Sequence, residues 1–113
     1  MMKVDHIAIL VENLDISQEW YEQNCSAVLV YGDHKYRRMK VQNTTIALIS
    51  KYHYDHAHIG LLVHDYADLP SNIGRIVHHR DGTTGCYVPD PDGNMVEFIH
   101  YNDDSKKKLG IEE

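Results

Sequence analysis

Two stretches decide the fold of this chain: Asp5-His6-Ile7-Ala8-Ile9-Leu10-Val11 and Ala57-His58-Ile59-Gly60-Leu61-Leu62-Val63. When His6 is aligned with His58, four of the six positions from the histidine onward are identical. Both stretches are apolar and rich in branched side chains, which is typical of β-strands. The offset of 52 residues is close to half of the 113-residue chain. The alternative is chance similarity between two apolar strands, but we predict two copies of one supersecondary unit.

Turn residues and hydrophobic periodicity outline the same order of elements, βαβββ, in each copy. The first copy is predicted to have a strand at 4–11, a helix at 14–24 and strands at 27–31, 35–41 and 45–49. The second is predicted to have a strand at 57–63, a short or distorted helix at 67–73 and strands at 76–79, 84–88 and 95–101. Ile16, Trp20 and Tyr21 are predicted to face the core from the first helix.

This order predicts an α+β fold in a single domain spanning residues 1–113. Module one covers about 1–50, module two about 57–102, and a frayed C-terminal tail covers 103–113. The basic run in this tail, Lys106-Lys107-Lys108, is interpreted as a solvated surface.

Side chains alternate between the two faces of a strand, which separates the histidines from the branched residues. His6 shares its face with Ala8, and His58 shares its face with Gly60, so there is room beside each ring. Glu97 lies in the middle of an apolar strand between Val96 and Phe98, which face the other way. A buried carboxylate needs a partner or a proton.

A bound cation would satisfy that carboxylate. Two histidines and one carboxylate form the facial triad typical of non-haem Fe(II), and they also suit Mn(II), Zn(II) or Ni(II). The sequence therefore predicts that His6, His58 and Glu97 bind a divalent metal ion. The alternative is that they are three separate surface or internally satisfied residues.

Charge and composition argue against other classes of protein. The net charge is -6 at pH 7, whereas nucleic-acid and anionic-membrane surfaces need clustered positive charge. No apolar run approaches the length of a membrane span, about 20 residues, and the N-terminus lacks the apolar stretch of a signal peptide. The two cysteines match no disulfide or zinc-finger spacing. We therefore expect a cytoplasmic protein with reduced cysteines.

The two histidine strands, together with the segment Asp90-Pro91-Asp92-Gly93-Asn94-Met95-Val96-Glu97-Phe98, resemble the vicinal oxygen chelate superfamily. This superfamily includes glyoxalase I, bleomycin-resistance proteins, fosfomycin-resistance enzymes, methylmalonyl-CoA epimerase and extradiol dioxygenases. The resemblance implies two βαβββ modules whose mixed sheets curl around a metal-bearing cavity. It also implies that His6, His58 and Glu97 are the metal ligands, and that the substrate binds the metal through two adjacent oxygens.

Glyoxalase I-like members carry a fourth ligand, a glutamate on the last strand of the first module. Ala47 looks like the corresponding position here, which counts against a conventional glyoxalase I. Fosfomycin-resistance enzymes usually carry a threonine where this chain has Ala8, and extradiol dioxygenases are usually longer. Three ligands, however, are the pattern of both these branches.

Other residues near the predicted site are open to two interpretations. Tyr87 resembles a cavity aromatic residue of the superfamily and is predicted to orient a substrate oxygen, as an alternative to simple packing. One residue of His78-His79-Arg80 is a candidate acid, base or anion contact, although a solvent-exposed loop is favoured. His100 should face away from Glu97, and the remaining histidines are taken as surface or rim residues.

We therefore predict a metal-dependent enzyme with lyase-like or dioxygenase-like chemistry on a small molecule. One alternative is thiol or water addition to an epoxide, as in fosfomycin resistance. Another is a protein that sequesters a ligand without catalysis, as bleomycin-resistance proteins do. The superfamily's architecture also implies a homodimer, in which His6 of one subunit could join His58 and Glu97 of the other.

Overall fold

The computed structural model describes residues 1–111 of the chain. The chain divides into two compact units. The first unit comprises His6–His58, and the second comprises Met1–Asp5 together with the chain from Ile59 onward. Among the described residues, no helix is long and apolar enough to cross a membrane.

The first unit has the predicted βαβββ order. Its elements are β1 (Val4–Val11, whose first two residues belong to the second unit), α1 (Leu14–Cys25), β2 (Val28–Gly32), β3 (Tyr36–Lys40) and β4 (Thr45–Ser50). The strands are ordered β2-β3-β4-β1, with β1 parallel to β4 and the other pairs antiparallel. A parallel pair needs a long crossover connection, which α1, β2 and β3 supply here.

The core of the first unit lies between α1 and one face of its sheet. It is formed by Leu14, Ala27, Met39 and Leu48, with Ile9 and Val11 packed against it. These two β1 residues lie on the face opposite His6, as the alternation of the strand predicts. Alternation places Ile7 on the same face as Ile9 and Val11, and the sequence would have it packed there, but it is exposed, as is its counterpart Ile59 in the second unit.

The orientation of α1 differs from the prediction. Leu14 is buried and Tyr21 packs on the core, whereas Ile16 and Trp20 are 67% and 54% exposed. Residues seven apart lie on nearly the same side of a helix, so Leu14 and Tyr21 together decide which side faces the sheet. That orientation directs Ile16 and Trp20 to solvent, and their predicted burial is wrong.

The second unit repeats the arrangement of the first. Its elements are β5 (His58–Leu62, whose His58 belongs to the first unit), a 3-10 helix (Tyr66–Asp68), β6 (Arg75–His78), β7 (Thr84–Pro89), β8 (Met95–His100) and α2 (Asp103–Lys108). Here the strands are ordered β6-β7-β8-β5. This repeats the order β2-β3-β4-β1 of the first unit, with β6, β7, β8 and β5 as the counterparts of β2, β3, β4 and β1. The α+β class and the tandem βαβββ plan predicted from the sequence are confirmed. The distorted helix predicted for the second module is the single 3-10 turn.

Two contacts show why residues 1–5 belong to the second unit. The Leu62 amide donates a hydrogen bond to the Lys3 carbonyl at 2.9 Å. The Tyr101 hydroxyl donates to the Asp5 carboxylate at 2.7 Å. The core of this unit is formed by Val63, Leu69 and Cys86, with Ile76, Val88 and Phe98 packed against it.

The C-terminal segment is more ordered than predicted. Residues 103–108 form α2, whose first turn is capped by the Asn102 side chain accepting from the Ser105 amide at 2.7 Å. Ser105 and Leu109 are buried. The predicted fraying is therefore wrong over α2, because a capped turn ending in a buried leucine has both a local and a tertiary reason to form. Residues 112 and 113 lie outside the described part of the chain.

Candidate metal centre

The three residues predicted to bind metal are divided between the two units, and their contacts are described unit by unit. His6 and His58 belong to the first unit, while Glu97 belongs to the second. Each of the three offers one atom of a kind that binds metal ions. His6 and Glu97 are buried, and His58 is half-buried.

In the first unit, the Nε2 atoms of His6 and His58 lie 3.1 Å apart. The two rings are nearly perpendicular, with an interplanar angle of 86° and centroids 5.2 Å apart. The repeat-related histidines are thus brought together by their ring tips rather than stacked. Both belong to one chain, so His6 need not come from a second subunit as the sequence-based hypothesis suggested.

This separation fits two ligands of one metal ion. Nitrogen ligands at about 2.1 Å from an ion would lie roughly 3.0 Å apart at a right angle and roughly 3.4 Å apart at a tetrahedral angle. The observed 3.1 Å falls between these values. The donor chemistry fits as well, because imidazole is the commonest metal ligand in proteins and suits Fe(II), Zn(II) and Ni(II).

The strand alternation and register place small residues beside His6. His6 is paired with Thr45, and Ala8 is paired with Ala47 on the parallel neighbour β4. Ala8, Ala47 and Ile49 form a small cluster on this face of the sheet. Ala47 is the residue that looks like the counterpart of the fourth ligand, a glutamate, of glyoxalase I-like proteins. Its methyl group supplies neither a ligand nor a base.

Arg38 is a charged residue on this face that the sequence interpretation missed. It is opposite Ala47 in the antiparallel β3–β4 ladder, and residues directly opposite one another share a face. Its side chain is buried. The signal was weak, because Arg37 and Lys40 of the same strand are also basic and nothing local distinguishes Arg38 from them.

In the second unit, Glu97 lies at the centre of β8 and is only 2% exposed. Its neighbour Phe98 points the other way into the core with Cys86, as the alternation predicted. Directly opposite Glu97 on β7 is Tyr87, so the two side chains share a face. The strand thus carries a buried carboxylate between the apolar residues Val96 and Phe98, as the sequence indicated.

His79 is a functional candidate that the sequence offered only as one residue of His78-His79-Arg80, with a solvent-exposed loop favoured for the segment. Its Nε2 lies 2.5 Å from Glu97 Oε2, and the Tyr87 hydroxyl lies 3.4 Å from the same nitrogen. The side chain of His79 is 24% exposed, so the solvent-exposed loop favoured for this segment is wrong at His79. The neighbouring His78 is exposed and contacts Thr84 Oγ1 at 3.3 Å.

The sequence did contain a signal for this pair. Gly85 lies inside β7, and a glycine within a strand often marks a close approach of another group. A Cβ at Gly85 would lie 2.8 Å from His79 Nε2 and would overlap the Glu97 carboxylate. The absence of a side chain at this position therefore leaves the space in which the two groups meet.

Two side chains that flank this region, those of Asp90 and Cys86, have shifted pKa values. Hydrogen bonds from the side chain and backbone of Asn94 hold the pKa of Asp90 below its ordinary value. Asp90 and Asn94 thus build the turn that leads into β8. Burial raises the pKa of the Cys86 thiol, which faces away from Glu97.

The ring of His56 packs against His58, with centroids 5.5 Å apart, whereas His34, His53 and His100 make other contacts. His100 Nδ1 contacts the Val63 carbonyl at 3.2 Å, which agrees with its predicted direction away from Glu97. His34 and His53 contact each other edge to face, with centroids 5.8 Å apart.

Comparison with solved structures shows a clear likeness of fold. Methylmalonyl-CoA epimerase from Mycobacterium tuberculosis has a TM-score of 0.69 at 18% identity, covering 88% of each chain. A single-residue variant of the Streptomyces coelicolor epimerase, solved with 2-nitronate-propionyl-CoA, has a TM-score of 0.68 at 15% identity, covering 88% of this chain and 97% of its own. A glyoxalase/bleomycin resistance protein/dioxygenase superfamily member from Vibrio splendidus has a TM-score of 0.65 at 11% identity, covering 89% of this chain and 100% of its own.

Sequence comparison adds nothing to these structural matches: no family model and no curated protein matches the chain. At these identities the likeness establishes the fold alone. It agrees with the two βαβββ modules, the repeated strand order and the resemblance noted in the sequence. The chain therefore has the vicinal oxygen chelate fold, that of the glyoxalase, bleomycin-resistance and dioxygenase superfamily.

Proposed function

We propose that His6, His58 and Glu97 together bind one divalent metal ion, and that the protein is a metal-dependent enzyme. The observation that carries this proposal is the 3.1 Å separation of the two imidazole Nε2 atoms, which matches adjacent ligands of one ion. The buried Glu97 supplies the negative charge that two neutral imidazoles lack. Fe(II) is the first choice for this donor set, and Mn(II), Zn(II) and Ni(II) are the alternatives.

The proposed substrate is a small molecule with two adjacent oxygen atoms. A divalent ion with three protein ligands keeps open positions, and it supplies a Lewis acid to oxygens bound there. Tyr87 shares a face with Glu97, and we propose that its hydroxyl orients a substrate oxygen. The buried side chain of Arg38 also lies on the histidine face of the first unit.

We favour lyase-like or dioxygenase-like chemistry over a glyoxalase or epimerase reaction. An epimerase must remove a proton from one face of a carbon and return one to the other, which calls for two acid–base groups. On the histidine face of the first unit, Ala47 supplies no such group. Opening of an epoxide by a thiol or water, and ligand sequestration without turnover, are the remaining alternatives.

Metal analysis tests the first part of this proposal. Protein purified without chelator or affinity resin is expected to contain about one transition metal ion per chain, or to take up one when Fe(II), Mn(II), Ni(II) or Zn(II) is added. A chain that stays essentially metal-free under all four conditions contradicts the proposal.

Replacement of the carboxylate identifies the ligand. Glu97→Gln keeps the size of the side chain but removes its charge, and it is expected to weaken metal binding by at least about tenfold in calorimetric titration. Glu22→Gln is the matched control, because Glu22 lies on the exposed side of α1 and contacts Gln18. Equal affinities for both variants would show that Glu97 is not a ligand.

The type of reaction is tested with two panels of compounds. Oxygen uptake in the presence of catechols would identify a dioxygenase. In deuterated water, exchange at the carbon beside a carbonyl, followed by NMR, would identify enolate-forming chemistry and would favour an epimerase or glyoxalase reaction over our ranking. Tight binding of a ligand without either change would favour sequestration.

We also propose that the protein is a cytoplasmic homodimer. The small chain and the superfamily architecture support the dimer. The two cysteines, of which Cys25 is exposed and Cys86 is buried, are both free, which supports a reducing compartment.

A further inference from the structure

We propose that His79 is a positioning residue for Glu97: its hydrogen bond to Oε2 fixes the orientation of the carboxylate that binds the metal. This inference rests on the proposed metal site and assigns it a residue outside the three ligands. It is carried by the contacts around Glu97 within the second unit.

The first contact is a short hydrogen bond. His79 Nε2 and Glu97 Oε2 lie 2.5 Å apart. A carboxylate that binds a metal ion is ionised and can only accept hydrogen bonds, so in the metal-bound form the imidazole Nε2 would carry the hydrogen and donate it. Charge-assisted bonds of this kind are short and directional. Oε2 is therefore engaged by His79, which restrains the orientation of the whole Glu97 carboxylate.

The second observation is the space at Gly85. Glycine within a strand costs roughly 0.5–1 kcal/mol relative to alanine. Gly85 is nevertheless paired on both sides, with Val77 on β6 and with Ile99 on β8. A Cβ here would lie 2.8 Å from His79 Nε2. The strand therefore leaves open the volume that the imidazole–carboxylate pair fills.

The third observation is the loop that carries His79. The His79 amide donates to the Thr83 carbonyl at 2.9 Å, and the His79 carbonyl accepts from the Gly82 amide at 3.0 Å. Inside the loop, Asp81 Oδ1 accepts from the Thr83 amide at 2.9 Å and from its hydroxyl at 2.6 Å. Asp81 and Thr83 are both buried. The imidazole thus extends from a braced turn, which is what a residue that orients another side chain needs.

The consequence is a preorganised ligand. A glutamate has three side-chain torsions, and fixing them costs conformational entropy when the metal binds. A carboxylate already held by His79 has lost much of that freedom. Removing comparable hydrogen-bond partners of metal ligands typically weakens metal binding by about 10–100-fold.

Calorimetric titration with Ni(II) or Mn(II) tests this inference on the full chain. His79→Phe keeps a planar ring but has no donor, and it is expected to weaken metal binding by about 10–100-fold. His79→Gln restores a donor on a side chain of similar reach and is expected to recover most of that loss. His78→Phe is the matched control, since the same change one residue earlier affects an exposed ring, and its affinity should equal that of the wild type.

The thermal stability of the metal-free variants separates positioning from folding. If affinity followed the melting temperature across the three variants, His79 would have only a structural role and the inference would be wrong. Wild-type affinity in His79→Phe would also overturn it while leaving the metal site intact. Failure of the wild type itself to bind any of the metals tested would instead overturn the proposed function, and the inference with it.

Discussion

At the scale of single residues, the chemistry of this protein depends on where side chains are absent as much as on where they are present. Ala8 and Ala47 are paired on the face of the first unit that carries His6. Gly85 leaves the volume in which His79 meets Glu97. Small residues beside each polar group allow rings and carboxylates to approach, whereas a branched side chain would displace them.

Gly85→Ala tests the role of this space. The added methyl group would overlap the Glu97 carboxylate, so we expect a loss of about 1–3 kcal/mol in the free energy of unfolding and a marked loss of metal affinity. Chemical denaturation and calorimetric titration measure the two effects separately.

Gly93→Ala is the matched control for this change. Gly93 has a φ of +88°, so alanine is expected to cost about 1–2 kcal/mol from backbone strain. A Cβ there meets nothing within 4 Å. Its metal affinity should be that of the wild type, and a loss as large as in Gly85→Ala would show that reduced stability alone explains the effect.

At the scale of secondary-structure elements, the important feature is how α2 supports the loop of His79. The Asn102 side chain caps α2 and also donates from Nδ2 to the Gly82 carbonyl at 3.3 Å. The nearby Ser105 lies against Gly82, where a Cβ would be 3.4 Å from the serine Cβ. The C-terminal helix therefore braces the turn from which the imidazole extends.

Asn102→Ala should loosen that turn. We expect a loss of about 1 kcal/mol from the missing cap, together with faster amide hydrogen exchange at residues 79–83. Asn13→Ala removes the equivalent cap of α1, where the asparagine accepts from the Ile16 amide at 3.0 Å. That control should cost a similar free energy and leave exchange at residues 79–83 unchanged; equal exchange in the two variants would contradict a bracing role for α2.

At the scale of the whole molecule, the notable property is exposed apolar surface. On the first unit, Val28 is 63% exposed, in addition to Ile16 and Trp20. On the second unit, Tyr66 and Ile73 are also largely exposed. Single exposed apolar residues are ordinary, whereas a contiguous apolar patch often marks an interface between proteins. In the proposed homodimer, these side chains are the candidates for burial.

Sedimentation equilibrium tests the dimer directly. We expect a mass twice the 13.1 kDa of one chain at micromolar concentration, and retention of this mass in moderate salt because apolar contacts are not screened by ions. A single species of 13.1 kDa that binds metal fully would rule out a dimer as a requirement of the site.

The sequence by itself determined the plan of the fold and the most unusual residue in it. The similarity of the segments around His6 and His58 predicted two modules, because similar local sequences adopt similar units. The alternation of side chains along a strand assigned the faces correctly around Glu97. Periodicity could not choose the side of α1 that would be buried, since Ile16 and Trp20 are as apolar as Leu14 and Tyr21. Only packing against the sheet decided that.

The tertiary structure alone decided the neighbours of each polar group. His79 is 18 residues from Glu97 in sequence, and nothing local distinguishes it from the exposed His78. The distance between His79 and Glu97 depends on the β6–β7 turn and on the register of β6, β7 and β8. A local pattern specifies which face a residue occupies, but non-local pairing specifies what it meets there, and the proposed metal chemistry depends on both.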